Sequence, residues 1–256
     1  MSAVEVVIAN PENIAEFSFC GFKDQKKEGY QKKLAWFKQR FEEGLVYKIL
    51  RSKENGDLGF IEYVPAEHSW RAVEAPGYMM IHCVFMGKRA YKEKGYASML
   101  VRDCIEDSDL ERKKGVAVVT SSRTFMAGHE LFEKLGFENV DTAPPCFQLM
   151  ALKFDDKAEL PKFPADWTER LNRYSDGLTL LYSDQCPYVH KWVGEIVEAA
   201  AEFNVEVKLE YIDSSAFAQN APTAYGTYAL IYNGELIADH PVSKRRFQNI
   251  MKKLLG

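Results

Sequence analysis

Three sets of residues have the types and spacing to do chemistry. The first is Lys92-Glu93-Lys94-Gly95-Tyr96-Ala97-Ser98, a glycine-bearing loop that opens a helix. Free amides at a helix start, together with the positive end of the helix dipole, suit a phosphate. Gly95 and the small Ala97 leave a path for close approach, and Lys88, Arg89, Lys92 and Lys94 add positive charge. The second is Cys186, in Ser183-Asp184-Gln185-Cys186-Pro187-Tyr188, also at a helix start. There the dipole and the amides favour the thiolate, which makes Cys186 the most thiolate-like of the five cysteines. The third is a set of candidate proton acceptors: Glu62 and His82 on strands, and Glu67 and His68 on a loop. Side chains alternate along a strand, so His82 points opposite to Ile81 and Cys83, and only one of these sets faces a substrate.

The elements that must position these residues follow from periodicity. The spacing predicts a strand over 4–8 and helical structure between 11 and 43, in which Leu34, Phe37 and Phe41 face the core. Strands follow over 45–51 and 58–64, around an Asn55-Gly56 turn. An irregular stretch over 65–77 carries Trp70 and Arg71, a pair that covers the core edge or binds a planar or anionic acceptor. Then come a strand over 78–85, the glycine loop, a helix over 98–111, a buried strand over 115–120, a helix over 125–135 closed by Gly136, and a strand over 147–154. Residues 155–175 begin with a charged, proline-broken stretch and read as a linker. They separate a domain at 1–154 from a second at 176–256. The second repeats a cycle: strand 178–182, helix 189–203, strand 205–212, a hairpin around Asn233-Gly234, and a helix over 244–255.

Bulk properties narrow the class. A chain of 256 residues, 46% of them hydrophobic, is long enough for two ordinary domains with sizeable cores. A formal charge of −4 argues against a dedicated nucleic-acid binder. No apolar run reaches the length of a membrane span, and the first ten residues lack a signal-peptide pattern, so the chain reads as cytoplasmic. The five scattered cysteines, with no Cys-x-x-Cys, indicate neither a disulfide framework nor a zinc site, and no metal is expected.

The loop 92–97 resembles the acyl-CoA pyrophosphate loop of the GNAT N-acetyltransferases. Met126-Ala127-Gly128-His129-Glu130-Leu131-Phe132-Glu133-Lys134-Leu135-Gly136-Phe137 resembles the last block of the same family, in the right order and on the right elements. The resemblance covers roughly 4–154. It implies an α/β fold with a twisted mixed sheet, splayed between the strands at 78–85 and 115–120. It implies acetyl-CoA as cofactor, its pantetheine arm pairing with backbone at Cys83, Val84 and Phe85, and its pyrophosphate on the amides of residues 94–98. The implied reaction is direct attack of a neutral amine on the thioester. Many members carry a tyrosine at the position of Phe132 as acid for the leaving thiolate, and Phe132 can pack but cannot donate a proton.

The remainder is similar to bacterial GNAT proteins with a YoaP-like C-terminal domain. The strand order and the Cys-Pro-Tyr start resemble a thioredoxin-type fold, but Val189 stands where a second thiol would be. The implied function is N-acetyl transfer to an amine of unspecified class, with Cys186, a further catalytic candidate, in the other domain. A homodimer or a domain–domain contact is compatible with this. The alternative is a CoA-binding or thiol-responsive interaction protein with little transferase activity.

Overall fold

The structure is a computed structural model that describes residues 4–88, 91 and 94–256. Seven strands build the first sheet: β1 (Val4–Ile8), β2 (Val46–Ser52), β3 (Gly56–Pro65), β4 (Met79–Met86), β5 (Gly115–Ser121), β6 (Glu138–Ala143) and β7 (Phe147–Lys153). Their order is β1-β2-β3-β4-β5-β7-β6. All neighbours run antiparallel except β4 and β5. Every residue of β5 is buried, which is why the sequence there is a continuous apolar run. The helices of this part are α1 (Glu28–Arg40), α2 (Tyr96–Leu110) and the short α3 (Glu130–Glu133). α2 is tied to the sheet by Lys48 of β2, whose ammonium lies 2.8 Å from both Asp103 and Asp107.

The second sheet has the order β11-β10-β8-β9, from β8 (Leu178–Tyr182), β9 (Val207–Tyr211), β10 (Tyr228–Tyr232) and β11 (Glu235–Ala238). β8 and β9 are parallel and the other pairs antiparallel. α4 (Trp167–Asn172) precedes this sheet, α5 (Val189–Ala201) and α6 (Ser215–Gln219) lie between its strands, and α7 (Lys244–Leu255) follows it.

The segment 155–175 runs packed against the first sheet. Glu74 and Lys162 exchange backbone hydrogen bonds, Tyr78 donates to the carbonyl of Glu159 at 2.9 Å, and Phe163 is buried. The apolar cores also mix both halves. Trp36, Phe37 and Trp70 share a cluster with Leu181, Ala229 and Ile231. Ala117, Val119 and Leu149 share another with Leu180, Val193 and Phe247.

Two expectations need correction. The helix expected over 125–135 shrinks to Glu130–Glu133. Phe125 takes a left-handed φ of 72° and stacks edge-on against Trp192 of α5, so a tertiary contact overrides the local helical spacing. β6 escaped the sequence pattern because it is an edge strand whose residues are largely polar and exposed.

Candidate active site

β4 and β5 pair only at Met79–Val116, Met80–Ala117 and Ile81–Val118, then part. Beyond Ile81, β5 stays paired with β7 and β4 with β3, so β4 presents Cys83, Val84 and Phe85 on an open, half-buried edge. The divergence begins beside a bulge. Glu62 faces Cys83 and Tyr63 faces Ile81, which leaves His82 as the extra residue of β4.

α2 begins at the mouth of this splay. Gly95 caps it with φ 77°, a left-handed conformation that favours glycine, although a Cβ there would meet nothing. Its carbonyl accepts from Met99 at 2.9 Å. The amides of Tyr96, Ala97 and Ser98 have no backbone acceptor among the described residues and no side-chain cap. Lys94 is exposed beside them. Lys92, also expected here, lies outside the described residues.

A cavity of about 910 Å³ joins the two features. It runs from Gly95, Tyr96, Ala97 and Ser98, along Val84 and Phe85 opposite Val118 and Val119, to Glu62, Arg71, His82, Cys20, Cys83, Gln185, Cys186, Tyr188 and Tyr225. Phe132 forms part of its wall, fully buried against Phe137. Cys186 therefore does not sit in a remote domain. It lines the same cavity as Glu62 and Cys83, because the C-terminal sheet closes over the first.

At that end Glu62 is 2% exposed and fully engaged. Lys33 of α1 donates to its Oε2 at 2.7 Å and Gln185 donates to its Oε1 at 3.0 Å. Burial alone would raise the Glu62 pKa, but the Lys33 charge and contact with His82 outweigh it and hold the carboxyl down at about 2. His82 Nε2 accepts from the Trp70 amide at 2.9 Å, which puts the proton of the neutral ring on Nδ1, 3.3 Å from Glu62 Oε1. Burial pushes the imidazole down to about 4, against the pull of Glu62.

Arg71 ties the two halves together. Its Nη1 donates to Gln185 Oε1 at 2.9 Å and to the carbonyls of Trp70 and Tyr225, and its Nη2 donates to the His82 carbonyl at 2.8 Å. Among the described residues its Nε has no hydrogen-bond partner.

Lys33 and Gln185 were not foreseen. Lys33 carried one signal: it shares a helical face with Trp36, Phe37 and Arg40, and a charge on an apolar face needs a buried partner. Cys20 carried none, since its neighbours here come from residues 83 and 186.

The sheet order, the splay after Ile81 and the helix start at Gly95 give a mixed α/β fold similar to that of GNAT acetyltransferases, with a second, smaller sheet packed on it. A family model described as YoaP-like matches residues 207–249. The chain is 28% identical over 233 residues, 90% of each chain, to the uncharacterized N-acetyltransferase YoaP of Bacillus subtilis. Both halves therefore occur together in that relative. Solved structures similar to part of the chain include an N-acetyltransferase from Staphylococcus aureus, 13% identical, with a TM-score of 0.44, covering 60% of this chain and all of that one. Another is a GNAT family acetyltransferase from Brucella melitensis in complex with acetyl-CoA, 14% identical, with a TM-score of 0.41, covering 64% of this chain and 95% of that one.

Proposed function

We propose that the protein moves an acetyl group from acetyl-CoA to an amine in this cavity. The observation that carries the reading is the parting of β4 from β5 after Ile81, in one cavity with the open helix start at Gly95. An amide-bearing arm can complete the ladder along Cys83, Val84 and Phe85, as an added strand does. The pyrophosphate rests on the amides of Tyr96, Ala97 and Ser98, with Lys94 supplying charge. The thioester then reaches the end where Glu62, His82, Cys186 and Tyr225 gather, and the amine attacks it there directly.

Glu62 stabilises the positive charge that grows on the attacking nitrogen, and the proton shed there goes to water. With its pKa near 2 it does not retain that proton. His82, held at Nε2 by the Trp70 amide, is a positioning residue rather than the base. Phe132 packs against the arm. Burial holds the Tyr225 phenol neutral well above its ordinary range, which makes it a weak acid, so the departing CoA thiolate takes its proton from water. The C-terminal sheet order and its parallel β8–β9 pair support a thioredoxin-like origin for that part. The five free cysteines support a reducing, cytoplasmic setting. Among the described residues no helix is long and apolar enough to cross a membrane.

The test is binding. Ala97→Glu places bulk and negative charge in the amide cradle, and calorimetry on that variant should show acetyl-CoA affinity largely lost. Unchanged affinity would move the cofactor elsewhere. An acetyl-CoA turnover screen across small amines, peptide N-termini and lysine peptides then identifies the acceptor.

A further inference from the structure

Cys20, Cys83 and Cys186 come from three distant stretches of sequence and line one end of the cavity. Cys20 sits in a tight two-residue turn. Phe19 and Phe22 exchange backbone hydrogen bonds at 3.1 and 2.8 Å, and Cys20 and Gly21 between them have φ of 53° and 78°. This left-handed turn costs a residue with a Cβ about 1 kcal/mol, so surrounding contacts hold it.

Those contacts come from the C-terminal half. The Tyr188 hydroxyl donates to the Cys20 carbonyl at 3.3 Å, and the Tyr188 ring meets Phe22 edge-on at 5.3 Å. Gly29 of α1 touches Pro187 so closely that a Cβ would lie 2.0 Å from its carbonyl oxygen. The Cys20 turn is thus held by the same Cys186-Pro187-Tyr188 segment that carries the second thiol.

The two thiols are unequal. Hydrogen bonding to Cys186 and Cys83, with burial, pushes the Cys20 thiol well up. Hydrogen bonding from Cys20, with the Tyr188 amide and the Lys33 charge, brings Cys186 down despite its burial. Among the described residues no three His, Cys, Asp or Glu are placed to hold a metal ion.

We propose that Cys186 and Cys20 form a dithiol–disulfide pair across the two halves of the chain, oxidised by low-molecular-weight disulfides, and that the bond closes the acceptor end of the cavity. The thiol that the Cys186-Pro187-Tyr188-Val189 start lacks is supplied by the first half. The Cys186 thiolate attacks one sulfur of the small disulfide. The S–S bond breaks, and one small thiolate leaves and takes a proton from water. Cys20 then loses its proton and displaces the second small thiol from Cys186. Two electrons pass from the protein to the small disulfide, which departs as two thiols. Pair formation stands independently of the acetyl-transfer reading, whereas its effect on turnover rests on that reading.

The experiment treats reduced full-length protein with oxidised glutathione. The native chain should lose two of its five thiols, and peptide mapping without reductant should join residues 20 and 186. Cys20→Ser should stop with one glutathione on Cys186, and Cys186→Ser should do neither. Limiting iodoacetamide on unmodified protein should label Cys186 at least tenfold faster than Cys104 or Cys146, which checks the nucleophile without a substitution. Acetyl-CoA affinity should persist after oxidation, while turnover on the best amine falls more than tenfold and returns with dithiothreitol. A bond to Cys83, a bond between chains, or no bond under conditions that oxidise the urea-unfolded chain would overturn the pair. Full turnover with the bond in place would overturn the closure. If the reduced protein binds no acetyl-CoA, the acetyl-transfer reading fails, and the mapping still decides the pair.

Discussion

Glu62 is held by one residue from each half of the chain, Lys33 and Gln185, and its charge is part of the fold as well as of the site. Its folded pKa of about 2 lies below the ordinary 4.5, so its contribution is fully present above about 4.5 and is lost as pH falls toward 2. The shift corresponds to roughly 3 kcal/mol. His82 acts in the same direction and earlier. Its folded value of about 4 lies below 6.5, so between these limits the unfolded chain takes up a proton that the folded chain refuses. Urea midpoints should therefore fall steadily from pH 7 to pH 4, and His82→Gln, which can still accept from the Trp70 amide, should flatten the upper part of that decline. Glu62→Gln alone strands the buried Lys33 ammonium and should cost about 3–5 kcal/mol in the same assay. Lys33→Met with Glu62→Gln should recover most of it. Turnover should fall about a hundredfold in both variants, the usual scale for losing one group that stabilises transition-state charge, which separates chemistry from folding.

At the scale of elements, the sequence was most legible where periodicity and burial agree. The buried run of β5, the hairpin at Asn233-Gly234 and α7 appear as their spacing predicts. The helix start at Gly95 was readable too, because φ at Gly95 and the free amides are local properties. What local spacing could not show was anything built by contact between halves: the shortened α3, the buried Lys33 and the meeting of Cys20 with Cys186. The contact of Gly29 with Pro187 is of that kind, and it brings the start of α1 against the turn that leads into α5. Gly29→Ala removes a flexible residue from the first turn of a helix, which would ordinarily stabilise it. Here the methyl meets the backbone, so thermal unfolding should show a loss of about 1–3 kcal/mol. Cys20 should also react more slowly with Cys186-bound glutathione in that variant. A gain in stability would mean that the two elements stand further apart.

For the whole molecule, apolar clusters drawn from both sheets imply one cooperative unit. Calorimetry on the intact chain should give a single unfolding transition, and residues 1–154 expressed alone should be poorly soluble, having exposed the surfaces that Leu181, Ile231 and Phe247 cover. Two well-separated transitions would contradict the shared core. The Arg71–Gln185–Glu62 chain of hydrogen bonds gives this unity a further consequence, for inheritance rather than for folding. Gln185 completes a hydrogen-bond chain whose other members, Arg71 and Glu62, lie 114 and 123 positions away, so neither half is free to drift by itself. Across relatives, positions 33, 62, 71 and 185 should change as a set, and cysteines at 20 and 186 should be kept or lost together. Grafted onto an acetyltransferase without that carboxylate and arginine, the C-terminal part should arrive as a passenger, folded at best and unable to complete the recipient's site.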